Sequence, residues 1–312
     1  MEKVYRLTPT LQDNLWGGNR LREYGKTSEK DRIAESWELS FVPGNEARID
    51  DGRTTAEAFP RESWGKNCEK FEFFPVLTKF IDAREKLSVQ VHPDDEYALK
   101  NEGQYGKTEM WYVVDREGDD AGLYMGLNAA YTKEEFSRAV ADGTVEKLLA
   151  RVDVMPGDVW FIPSRTVHAI LGGDLIFEIQ QNSTLTYRLY DYMRRDKDGN
   201  LRELHVDKAM KVLKAEVYKP VKPDGEGDLH PEALIGECEY FKTHEYQLSE
   251  GAVSLTINRD SFLAVTTVSG DALIECSEGT FELALGKSAF IPAGEPFPIS
   301  ISGTGTVITV EV

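Results

Sequence analysis

In Leu87-Ser88-Val89-Gln90-Val91-His92-Pro93, a serine, an amide and an imidazole recur at every second position. On a β-strand that spacing puts Ser88, Gln90 and His92 on one face. Glu109 heads a second apolar stretch, residues 109–114, and His168 follows a third, residues 158–163. Two histidines and a glutamate converging from neighbouring strands of one barrel form a three-ligand set suited to catalytic zinc. That set leaves a position for water or substrate. Gln90 adds an amide oxygen as a weaker fourth ligand. Spacing alone leaves a plainer reading open, in which each histidine is a hydrogen-bonded core or surface residue. For His205, His230 and His244, which no strand pattern frames, the plainer reading is preferred.

The elements that must carry these residues are mostly strands. Short apolar stretches separated by Gly, Pro and Asp recur at 73–80, 87–91, 109–114, 158–163, 174–180 and 261–268. This is an all-β signature. One helix interrupts it: Thr132 and Glu135 form a capping box, and Phe136 and Val140 fall four apart on one face. A helical turn is expected at 145–149 and a further helix at 206–214. An internal repeat is also present. Gly157-Asp158-Val159-Trp160-Phe161-Ile162-Pro163 is followed five residues later by His168, and Gly286-Lys287-Ser288-Ala289-Phe290-Ile291-Pro292 by Phe297. The repeat implies two copies of one β module, of which only the first keeps the histidine. Residues 220–229 are rich in Pro, Gly and Asp and read as a linker.

Composition narrows the partners. The 312 residues carry a net charge of −18, from 36 basic and 54 acidic side chains. A chain this acidic repels nucleic acid and anionic membranes unless it concentrates a basic patch, and no long Lys/Arg run is present. An anionic small substrate would need cations gathered inside a pocket. No segment approaches the about 20 apolar residues of a membrane helix, and no apolar stretch of signal-peptide length opens the chain. Three cysteines without a CxxC pair suit a reducing compartment. The expectation is a cytoplasmic protein.

Four runs, LSVQVHPDDEYA, GKTEMWYV, GDVWFIPSRTVHAILGGD and QQNSTLTYRLYDY, resemble the signatures of the type I mannose-6-phosphate isomerase (phosphomannose isomerase) family of the cupin superfamily. The short bacterial form fits best, and IAESWELS resembles the family's early segment. The resemblance implies a mainly β fold of two cupin (jelly-roll) barrels with a small helical insertion at about 132–149. A catalytic domain is expected over 1–219, a linker over 220–234, and a cupin-like domain without a metal site over 235–312. It implies one zinc ion per chain, held by Gln90, His92, Glu109 and His168. The family's lysine two residues before the glutamate ligand maps onto Lys107, its catalytic arginine onto Arg188, and another acidic active-site residue onto Glu178.

Interconverting an aldose phosphate and a ketose phosphate moves a proton between C2 and C1 through an enediolate. A metal ion or an arginine stabilises the charge that develops on oxygen. Glu178 and Lys107 are the candidates for moving protons. Ser88, Arg188 and Arg194 are the candidates for holding the phosphate of a small sugar phosphate. Two other classes use the same ligand set. A non-haem iron oxygenase also takes two histidines and a carboxylate, but it gives Gln90, Lys107 and Arg188 no task. A non-catalytic sugar-binding cupin predicts binding without turnover.

Overall fold

The computed structural model describes residues 4–195, 198–219 and 232–312. It is mainly β, with four sheets and few helices among the described residues. Strands form where the apolar stretches predict them, at Val76–Ala83, Val89–Val91, Glu109–Arg116, Val159–Ile162, Asp174–Gln181 and Leu263–Ser269. Most of the expected linker, residues 220–231, lies outside the described residues.

The chain groups into two compact units, and neither is contiguous. One comprises Met1–Gln12, Asn19–Phe80 and Lys222–Val312; the other comprises Asp13–Gly18 and Ile81–Val221. This departs from the expected division into 1–219 and 235–312. The reason is a long-range pairing: the strand Tyr5–Thr8 lies antiparallel to Ser288–Ile291, with Tyr5 opposite Phe290. The early segment therefore completes the sheet of the late module.

In the unit built on Ile81–Val221, a five-stranded sheet runs in the order Tyr187–Tyr190, Val89–Val91, His168–Ile170, Leu123–Leu127, Leu149–Val152. Alternation gives it two unlike faces. Val89, Val91, Ala169, Tyr187 and Leu189 are buried in one apolar cluster with Phe136, Val140, Val145 and Val212. These last four belong to the helix Lys133–Ala141, the turn Val145–Leu148 and the helix Val206–Val212. Burying the odd-numbered residues under the helices turns Ser88, Gln90, His168 and Arg188 to the opposite face. A one-residue slip would exchange the faces, so the apolar cluster fixes the register of the polar one.

The helical insertion forms as its capping signal predicts. Thr132 Oγ1 accepts from Glu135 N at 3.1 Å, and Glu135 Oε2 accepts from Thr132 N at 2.8 Å. Thr132→Ala is expected to destabilise the folded chain by about 1 kcal/mol. Urea denaturation would show a lower midpoint at unchanged slope; an unchanged midpoint would mean that the cap contributes nothing.

The other unit pairs a seven-stranded antiparallel sheet with a four-stranded one. Their shared core includes Val265, Ile274, Leu283, Ile291, Ile299 and Val307. Both copies of the internal repeat adopt the same local path. Gly157 and Gly286 take the left-handed backbone (φ +92° and +73°) that starts each strand. Phe297, standing where the first copy has His168, is buried in that apolar core. A buried ion pair, Lys26 Nζ to Glu38 Oε1 at 2.6 Å, braces the same unit. The hydroxyls of Ser36 and Ser288 complete the carboxylate's bonding at 2.6 and 3.1 Å. Burial pushes the Lys26 amine below its ordinary pKa against the pull of Glu38.

Candidate metal centre and active site

Three adjacent strands align the first residues of the site. His168 stands opposite Gln90, and Gln90 stands opposite Arg188. All three side chains project from the same sheet face. His92 follows one residue after the strand Val89–Val91. Glu109 comes from a second sheet, at the head of the strand Glu109–Arg116. There Gln180 stands opposite Glu109 and Glu178 opposite Trp111, so Glu178 shares a face with Glu109.

Lys107 is delivered by a close backbone approach. Its N–H donates to Pro93 O at 3.0 Å. A Cβ on Gly106 would lie 2.5 Å from the Asp94 carbonyl carbon, so only glycine allows the two segments to touch. This contact sets Lys107 beside His92.

The donor atoms of His92, Glu109 and His168 all lie within 4.8 Å of one another, and all three residues are buried. Each imidazole is oriented by its Nδ1. His92 Nδ1 bonds Leu185 O at 2.6 Å, and His168 Nδ1 bonds Thr166 O at 2.9 Å. A carbonyl can only accept, so each Nδ1 carries the proton and each Nε2 presents a lone pair to the centre. Burial and the Lys107 charge keep both rings neutral: His92 falls well below its ordinary pKa, and His168 drops to about 3. Neutral imidazoles are the ligating form.

A cation fits this cage. Glu109 Oε1 has no hydrogen-bond donor, yet it lies 3.1 Å from the lone pair of His168 Nε2. Glu109 Oε2 lies 3.7 Å from His92 Nε2. Tetrahedral ligands about 2.1 Å from one ion are about 3.4 Å apart. The two observed separations bracket that value. Gln90 Nε2 is 3.3 Å from His168 Nε2, and a half-turn of the amide presents its oxygen instead. Burial, with Glu178 close by, raises Glu109 well above the usual carboxylate range, although Lys107 opposes the shift. A divalent ion would hold it ionised.

Lys107 joins the ligands to Glu178. Its ammonium contacts Glu109 Oε2, donates to Glu178 Oε1 at 2.9 Å, and lies 3.3 Å from His92 Nε2. Trp111 Nε1 also donates to Glu178 Oε1, at 3.3 Å. The structure thus brings Gln90, His92, Lys107, Glu109, His168 and Glu178 into one contact network.

Arg188 and Arg194 lie at the outer strand. Arg188 NH1 donates to Glu203 O at 2.8 Å, and its Nε has no partner among the described residues. Its backbone N–H donates to His205 Nδ1 at 3.2 Å, and His205 N–H donates to Arg188 O at 2.7 Å. His205 is accordingly the hydrogen-bonded residue its sequence context suggests, and it fixes the Arg188 backbone. Asp191 is engaged by Arg194 and, at 3.3 Å, by Arg202, which leaves Arg188 out of that pair. Ser88 shares the Gln90 face and is 3% exposed. The contacts of Arg202 with Asp191 and of Trp111 with Glu178 were not legible in the sequence. Arg202 sits in a polar segment with no periodic pattern, and Trp111 reads only as one more aromatic of a buried strand.

Comparison with known proteins shows the family. The family model for the phosphomannose isomerase type I catalytic domain matches residues 4–117, and that for the mannose-6-phosphate isomerase cupin domain matches residues 233–312. Mannose-6-phosphate isomerase ManA of Bacillus subtilis is 37% identical over 295 residues, covering 92% of each chain. The mannose-6-phosphate isomerase of Streptococcus mutans is 34% identical over 296 residues, covering 92% of this chain and 91% of its own. The crystal structure of mannose 6-phosphate isomerase from Bacillus subtilis superposes over 100% of both chains, with a TM-score of 0.91 and 32% identity. With a mainly β cupin architecture, a His-Glu-His cluster and these relatives, the chain belongs to the type I mannose-6-phosphate isomerase family.

Proposed function

We propose that this chain interconverts mannose 6-phosphate and fructose 6-phosphate, with one zinc ion held by His92, Glu109 and His168 and a weaker bond from Gln90. The observation that carries the reading is the junction at Lys107, which contacts Glu109 of the proposed ligand set and Glu178 outside it. When bound, zinc supplies Lewis-acid stabilisation of negative charge on the sugar oxygens. The Lys107–Glu178 pair moves the protons: one between C1 and C2 through the enediolate, the other between the two oxygens. Arg188, in register with Gln90, is a fixed cation facing the developing charge. Arg194, Arg202 and Ser88 hold the phosphate, which supplies the local positive field that a chain of net charge −18 needs for an anionic substrate. The proposed setting is the cytoplasm, and residues 235–312 are proposed to hold no metal.

A coupled assay on mannose 6-phosphate, fructose 6-phosphate and glucose 6-phosphate, before and after chelation, tests the reading. Turnover of the first two, lost with chelator and restored by zinc, is the expected result. Iron-dependent oxygen consumption, or binding without turnover, would replace it.

A further inference from the structure

The turn between the strands Val159–Ile162 and His168–Ile170 holds Arg165 at φ +72°. That is the left-handed region, where a Cβ crowds the neighbouring carbonyl and glycine or asparagine is the ordinary occupant. A long charged residue held there is over-determined by its surroundings. Four bonds do this. The Arg165 N–H donates to His92 O at 2.7 Å, and its carbonyl accepts from Lys214 N at 3.0 Å. Its Nε donates to Val212 O at 2.8 Å, and its NH1 donates to Asp94 Oδ2 at 3.2 Å.

Two of these bonds grip the segment that carries the first imidazole, on either side of Pro93. The other two grip the chain at the end of the helix Val206–Val212. Asp94 is itself pinned, since its Oδ1 accepts from Tyr97 N at 3.1 Å as the cap of the helix Asp95–Glu102. On the other side of Arg165, Thr166 O holds the ring of His168. One residue therefore fastens the His92 segment to the turn that orients His168, and fastens both to a helix packed beneath the sheet. His92 and His168 lie 76 residues apart in sequence; their strands pair where His168 stands opposite Gln90, and Arg165 ties the segments that flank this pairing.

We propose that Arg165 is a positioning residue for the metal-binding histidines: its guanidinium, not merely its turn, holds His92 and His168 at ligand distance. The proposal rests on the metal reading above. It assigns Arg165 no contact with substrate and no ligand atom.

The test is zinc titration of the metal-free full chain against a chromophoric chelator, with melting temperatures of the metal-free forms measured in parallel. Outer contacts of this kind are worth about 10- to 100-fold in metal affinity. Arg165→Ala is expected to lose about that much. Arg165→Lys should recover part of it, because an ammonium can reach Asp94 but cannot also bond Val212 O. Arg165→Gly relieves the backbone, so its metal-free form should melt above that of Arg165→Ala while its zinc affinity stays as weak. Zinc affinity within twofold of the parent in both Arg165→Ala and Arg165→Gly would overturn the proposal. So would full affinity in Arg165→Gly alone, because the turn and not the guanidinium would then be responsible. Failure of the unmodified chain to bind zinc is a separate result, which removes the metal reading itself.

Discussion

His92→Ala and His168→Ala are each expected to lose bound zinc and, with it, most of the isomerase activity. Each ring offers one of the three donor atoms of the buried cluster proposed to hold the ion. Loss of a contact one step removed from a metal costs about 10- to 100-fold in affinity, and loss of a ligand itself costs more. The remaining pair, one imidazole and Glu109, keeps the Lys107 ammonium as its counter-ion and has little to offer a divalent ion. Each substitution also strands a backbone acceptor, Leu185 O or Thr166 O, so the metal-free variants should lose about 1–3 kcal/mol of stability. Gln90→Ala should keep more metal than either, because a neutral amide oxygen is a weaker ligand than imidazole or carboxylate. Metal analysis and turnover on one preparation decide the matter. Parental zinc content in both histidine variants would exclude the His-Glu-His cluster as the binding site.

Arg188→Ala should behave in the opposite way, keeping its zinc and losing turnover. The guanidinium is not a ligand and stays charged at any working pH, so it acts as a fixed cation. It is not consumed by Asp191, which Arg194 and Arg202 already occupy. Among the described residues its side chain bonds Glu203 O, and a single such bond contributes only about 0.5–1.5 kcal/mol. Removing a charge aimed at the transition state costs about 10²-fold or more in rate. Arg188→Lys should rescue poorly, because an ammonium lacks the planar fork. Zinc content, melting temperature and turnover measured together separate the outcomes. Near-parental turnover with an earlier melt would make Arg188 a brace of the strand end.

The buried His92, Glu109 and His168 cluster, with Gln90 beside it, was legible because it is written in local periods. Gln90 and His92 alternate on a strand, Glu109 heads another, and His168 is where one copy of a repeat differs from the other. The capping box at Thr132 and Glu135 was legible for the same reason, being complete within four residues. The helix Asp95–Glu102 was not foreseen. Only Ala98 is buried along it, so no apolar stripe announces it, although Asp94 and the left-handed Gly103 bound it. Arg165 and Arg202 were hidden for a different reason. Their partners lie far along the chain, at His92, Asp94, Val212 and Asp191, and no spacing rule links them. The same holds for the unit boundary, which follows from pairing Tyr5 with Phe290.

That pairing also dictates an order of assembly. A ribosome adding about 5–20 residues per second needs roughly 15–60 s to travel from Tyr5 to Phe290. Throughout that interval the Tyr5–Thr8 strand lacks its main partner and has only the two-residue Arg48–Ile49 strand to lean on. Closing so long a loop carries an entropic cost that local contacts do not offset, and it slows the pairing. The nascent chain thus carries an open sheet edge until the Ser288–Ile291 strand emerges, a template for pairing with a neighbouring chain. The vulnerable period of this protein is its synthesis, and the strand most exposed to misassembly is made long before its partner.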